Sequence, residues 1–124
     1  MAPKIESHRD LIVWQKSMDL AVEVYKVTAE FPRSELYRLT SQLTRAVASV
    51  PANIAEGHAR ATRKDYANFL AIAKGSLMEV ETFLMLGLRL GYVNEEQAER
   101  PLSLVTEVSK MITAIRLRLR EGSG

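Results

Sequence analysis

Residues 39–57 read LTSQLTRAVASVPANIAEG, and the folding of this stretch decides how the rest of the chain is read. Leu39, Leu43, Val47, Val50 and Ile54 recur at spacings of three and four, the pattern of one buried helix face, with Leu36 a turn earlier. Beside them runs a polar stripe of Arg38, Gln42, Arg45, Ser49, Asn53 and Glu56, spaced to share one side of the same helix. Pro51 removes the hydrogen bond to the Val47 carbonyl and is expected to bend the helix rather than end it. Ser49 and Asn53 are expected to pair with backbone groups freed at that bend. Gly57 is expected to close the helix as its left-handed residue. Glu56 lies in the last turn, where the helix dipole disfavours an acid, so it is expected to face Arg60, Arg63 or Arg45. Three readings of the stripe stand open: a buried polar network that locks the bend, a subunit interface, or a catalytic or ligand site. The first is preferred, with Gln42, Arg45, Ser49, Asn53, Glu56 and Glu79 as the network.

Working outward, apolar residues recur at three and four along the whole chain, with no sustained alternation. Four helices are expected, over about 11–30, 35–56, 63–90 and 95–120. Asp10 is the candidate cap of the first, which stops before Pro32. Thr62 and Asp65 have capping-box spacing at the start of the third, which stops at Gly91. Asn94 and Gln97 have the same spacing at the start of the fourth. Pro101 implies either a kink or a separate short turn over 94–100. The closing EGSG reads as a flexible tail. Short connections between long helices predict an all-α, antiparallel up-down four-helix bundle forming a single domain over residues 1–124.

The first helix carries two apolar faces. Leu11, Trp14, Met18, Ala21, Val22 and Tyr25 form one. Val13, Leu20, Val24 and Val27 form another, nearly opposite. A helix in a lone bundle needs only one apolar stripe. The second set is therefore assigned to an oligomer interface, which makes another copy of the chain the first expected partner. On the third helix, Gly75 and Ser76 put small residues mid-helix. Gly there costs about 1 kcal/mol relative to Ala, so a close helix approach is expected. Glu79 is placed to meet Arg45 or Arg38 across the bundle.

Composition narrows the function. The chain has 124 residues, enough for one core. It has no cysteine, which excludes disulfides and thiolate metal sites. No apolar run approaches the ~20 residues of a membrane-spanning helix, and the opening MAPKIESHRD lacks the apolar centre of a secretory signal, so a cytoplasmic location and no membrane partner are expected. His8 and His58 fit no metal-ligand spacing, and no acid, base and nucleophile set is apparent; no catalytic residue, cofactor or metal is assigned. Net charge is +2, but it is zoned. Arg38, Arg45, Arg60, Arg63 and Lys64 face Glu56 alone between 36 and 64, and Lys110, Arg116, Arg118 and Arg120 meet no acid between 110 and 120. Between Glu79 and Glu107, six glutamates face Arg89 and Arg100. Such zones are either solvated helix faces or a basic patch for an acidic partner. The candidate contacts to RNA or DNA phosphates are Arg60, Arg63, Lys64, Arg116, Arg118 and Arg120.

The stretches DLIVWQKS, FPRSE, LTSQLTRAVASVPANIAEG and FLAIAKGSLMEVET, in this order and spacing, resemble the four-helix-bundle proteins first noticed as open reading frames inside intervening sequences of bacterial large-subunit ribosomal RNA. The resemblance spans roughly Asp10 to Tyr92 clearly, and the last helix by its apolar pattern. It implies a cytoplasmic all-helical protein assembled as a ring-like homopentamer. It also implies kinship with the accessory proteins of diversity-generating retroelements, basic pentameric barrels that bind nucleic acid and a reverse transcriptase. Gln42, Arg45, Ser49, Pro51, Asn53, Glu56, Gly57, Gly75, Ser76, Glu79 and Glu81 match its signature positions, without a chemical role attached to them. The resulting expectation is a non-enzymatic pentameric scaffold or RNA/DNA-associated accessory factor. The alternative is a protein–protein adaptor that binds no nucleic acid.

Overall fold

The computed structural model describes residues 4–121; the last three residues of the EGSG tail lie outside it. Four helices make up the fold: α1 (Ile12–Thr28), α2 (Leu39–His58), α3 (Arg63–Arg89) and α4 (Glu95–Glu121). No strand occurs among the described residues. Each helix packs on its chain neighbours and α1 also packs on α4, so the four sit at the corners of a square with the core inside. The connections over 59–62 and 90–94 are too short for anything but antiparallel neighbours.

The caps explain most boundaries. Thr62 Oγ1 accepts the Asp65 N–H at 3.1 Å and starts α3. Asn94 and Gln97 exchange reciprocal bonds of 2.8 and 3.0 Å before α4, a complete capping box. Asp10 does not cap α1. Its carboxylate accepts the N–H groups of Glu6 and Ser7 and closes a separate turn over His8–Asp10, and α1 starts from Leu11 without a side-chain cap. These two bonds hold the Asp10 carboxyl below its ordinary value. Residues 35–38 lie outside α2. Arg33–Glu35 form a 3₁₀ turn and Leu36 is exposed, so the apolar stripe of α2 begins at Leu39. α2 runs through Pro51 and α4 through Pro101, each as one helix with its proline buried.

The faces of α1 depart from expectation, although Leu11, Trp14 and Ala21 do pack against the core. Val13, Leu20, Val24 and Val27 are core residues, with Leu20 and Val24 fully buried; they cannot form a surface between copies. Met18, Val22 and Tyr25, on the opposite face, are 40–55% exposed. The core face is harder to see because Ser17 and Thr28 interrupt it. Both are buried, and each satisfies its hydroxyl on a carbonyl one turn back, Trp14 at 2.7 Å and Tyr25 at 3.1 Å.

Two glycines also exchange roles. Gly57 is not a left-handed terminus but a buried residue inside α2, and the chain's positive φ among described glycines is at Gly91 (+78°), after α3. A Cβ at Gly57 would lie 2.7 Å from Phe69 Cβ and 3.3 Å from the Tyr66 carbonyl oxygen, so this is where two helices approach closely. Gly75, expected to mark such an approach, has nothing within 4 Å of the same position. The two therefore predict opposite signs. Gly75→Ala should stabilise the fold by up to about 1 kcal/mol through helix propensity. Gly57→Ala should destabilise it despite the same propensity gain, because the α2–α3 backbones must separate. Denaturant midpoints of both variants check this.

Candidate nucleic-acid interface

The hairpin between α2 and α3 builds one wall of the basic end. The chain leaves α2 at His58, turns through 59–62 and enters α3 at Arg63. His58 stands edge-on to Tyr66, with ring centroids 5.7 Å apart, and fixes the turn. Arg63 and Lys64 are the first two residues of α3, and Ala67 follows one turn later. Cations there oppose the helix dipole, so their placement is not explained by helix stability. The last turns of α4 supply the facing wall, Arg116, Leu119 and Arg120.

These six residues line a cleft of about 350 Å³. Four of them are cations and none is an acid. The guanidinium Nε of Arg116 is buried and has no hydrogen-bond partner. Such a donor loses water without replacing it, which costs on the order of 1–3 kcal/mol.

Two of the six candidate arginine and lysine contacts are not in this cleft. Arg60 is held elsewhere: its Nη2 lies 3.0 Å from Glu56 Oε1 and its guanidinium sits 4.8 Å over the Phe69 ring. Glu56 thereby finds one of its expected partners. Arg118 is two residues from both Arg116 and Arg120, so it projects from another side of α4. Its charge acts on Tyr66. Burial pushes the Tyr66 phenol above the ordinary 10.0, and Arg118 pulls it partly back. The wheel position of Arg118 is visible in the sequence; the Glu56–Arg60–Phe69 stack is not, because it depends on the turn. Leu119 is half-buried, and with Ala67 it gives the cleft an apolar base.

The signature stripe of α2 is only partly a buried network. Ser49 Oγ hydrogen-bonds to Ser76 Oγ and ties α2 to α3. Asn53 Nδ2 donates to the Ser49 carbonyl at 2.8 Å, not to the Val47 carbonyl released by Pro51. Gln42, Arg45 and Glu79 are exposed along a shallow groove of about 320 Å³ that also includes Ser49 and Phe83. Arg45 and Glu79 share this groove without forming an ion pair. A larger cleft, about 610 Å³, lies at the other end of the bundle, where Tyr25, Phe31, Arg33 and Tyr37 meet. No group of three His, Asp or Glu residues placed to hold a metal exists among the described residues. None of their helices is long and apolar enough to cross a membrane.

An all-helical chain of four packed helices, with cations lining a cleft at one end, defines the class: a small four-helix-bundle protein. The chain belongs to the 23S rRNA-intervening sequence protein family, whose sequence profile matches residues 9–114. It is also similar to a protein of unknown function from the S23 ribosomal protein family of Bacteroides thetaiotaomicron, known from a crystal structure. The two are 30% identical, with a TM-score of 0.76, over 85% of this chain and 98% of the other. No protein of curated function matches the chain.

The Tyr66 environment gives a pH test. A raised phenol in the folded state means stability that is complete below pH 10.0 and lost as pH rises through the Tyr66 value. Arg118→Ala should move the last-titrating tyrosine higher still, read by the ultraviolet absorbance of tyrosinate. Tyr66→Phe should remove that last step.

Proposed function

We propose that this protein is a non-enzymatic, self-associating helical bundle that binds the phosphates of a nucleic acid, RNA first, through its basic end. One observation carries the reading: residues some fifty positions apart, Arg63 and Lys64 on α3 and Arg116 and Arg120 on α4, converge on one cleft with no acid in its lining. The family description, which names an intervening sequence of 23S rRNA, makes structured RNA the probe of choice. Self-association is supported by the outer stripe of α1. Met18, Val22 and Tyr25 expose an apolar strip beside Lys26, and the family resemblance implies a pentamer.

The competing reading is an adaptor whose basic end meets the acidic start of a neighbour's α4. Glu95, Glu96 and Glu99 are all exposed there. Binding of a structured RNA at low salt, measured by fluorescence anisotropy, separates the two. Affinity should fall steeply with added salt. Arg63→Gln with Lys64→Gln should weaken it at least tenfold and flatten the salt slope. Absence of binding at low salt would reject the nucleic-acid reading and favour the adaptor.

The oligomer is tested by light scattering at micromolar concentration. Val22→Glu should lower the mass and leave helix content intact. Leu20→Glu should instead abolish helical circular dichroism, because it buries a carboxylate without a partner. A monomeric wild-type chain would refute self-association.

A further inference from the structure

The outward side of α3 lacks the charge of a solvated helix face. Among its exposed residues between 68 and 86, Glu79 is the only charge. Ile72, Met78, Met85 and Leu86 are 39–52% exposed there. Gly75 and Thr82 lie between them, and a Cβ at Gly75 would meet nothing within 4 Å. A helix side that meets only water carries polar residues. This one presents an apolar band about 21 Å long, at 1.5 Å per residue. α1 and α3 share no contact among the described residues, so they stand at diagonal corners of the square and their outward bands face opposite ways. The α1 band is Met18, Val22 and Tyr25 with Lys26 at its edge. It continues past Tyr25 to the exposed Leu36 and Tyr37, which line the cleft of about 610 Å³.

We propose that the α3 band is the seat for the α1 band of a second copy of this chain, a head-to-tail contact between unlike faces. The inference rests on the self-association in the reading above and deepens it by naming the surface that α1 meets. Every copy carries both bands on opposite sides, so they cannot meet within one chain and each can meet the other on a neighbour. Charge selects this pairing. Lys26 and Glu79 form no ion pair within the chain. Arg45, in the groove beside Glu79, lies on the α2 side of the band. Unlike faces bring Lys26 and Glu79, of opposite charge, onto one contact. Like faces would set Lys26 against Lys26 or Glu79 against Glu79, and like charges across an interface cost affinity. The open position at Gly75 lets a bulky side chain of the neighbour approach the α3 backbone. The flexible side chains of Met18, Met78 and Met85 adapt to irregular gaps between the two bands.

The experiment follows mass by analytical ultracentrifugation at micromolar concentration, with one band broken per chain. Val22→Glu breaks the α1 band and Met78→Glu the α3 band. Both positions are exposed, and circular dichroism checks that helix content is kept. Each variant alone should sediment as a 13.9 kDa monomer. An equimolar mixture should give one complex of twice that mass, because one intact α1 band and one intact α3 band remain in it. Leu86→Glu, also exposed, repeats the α3 arm. Lys26→Glu should weaken wild-type association about tenfold, and adding Glu79→Lys to the same chain should restore it. A mixture that stays monomeric would overturn the head-to-tail contact. Either band variant that keeps the wild-type mass would also overturn it and leave self-association standing through another surface. A monomeric wild-type chain would overturn both.

Discussion

The missing side chain at Gly57 governs the geometry of this protein. With no Cβ there, Phe69 and the Tyr66 backbone move against α2, and the α2–α3 pair becomes the most extensive contact in the bundle. One hydrogen bond, Ser49 to Ser76, ties the same two helices about two turns from that contact. A polar pair between helices fixes their relative sliding in a way that apolar side chains alone do not. Everything at the basic end inherits this constraint. The turn over 59–62 is short, so the height of α3 against α2 decides where Arg63 and Lys64 stand relative to the end of α4.

Helix number, order and most ends are legible in the sequence because they depend on local chemistry. Thr62, Asn94 with Gln97, and Gly91 act within one turn of their own position. Orientation is harder to read. α1 carries two stripes with the same alternation of threes and fours, and periodicity cannot rank them. The aromatic stripe looks more like a core, and the true core face is disguised by Ser17 and Thr28, whose hydroxyls are satisfied within their own helix. Gly57 misleads for a related reason. A glycine near a helix end usually marks a left-handed residue, and only the partner helix reveals that it marks a close approach.

The site is legible to a similar degree. Local charge bias picks out two segments of chain, and the bundle topology brings them together at one cleft. Sorting the six cations needs more. Arg118 separates from Arg116 and Arg120 by its angle around α4, which the sequence contains. Arg60 separates through Glu56, four residues back and among the partners expected, and through Phe69 on α3, which the sequence does not reveal. The orphaned Nε of Arg116 is a property of packing and has no local signal at all.

The two stripes of α1 have a further meaning for the folding landscape. A half-turn rotation about its own axis would bury Met18, Val22 and Tyr25 and expose Val24 and Leu20, with no break in the helix but with Gln15 and Lys26 carried inward. That rotated packing is a decoy built into the chain. Two ion pairs across the seam with α4 oppose it: Lys16 with Glu107 at 3.3 Å and Glu23 with Arg100 at 3.4 Å. Each is partly exposed and worth at most about 1 kcal/mol to stability. Both flank the buried stripe on the α4 side, so both are lost on rotation. Their contribution is to add a rotational preference to the one that burial already gives α1.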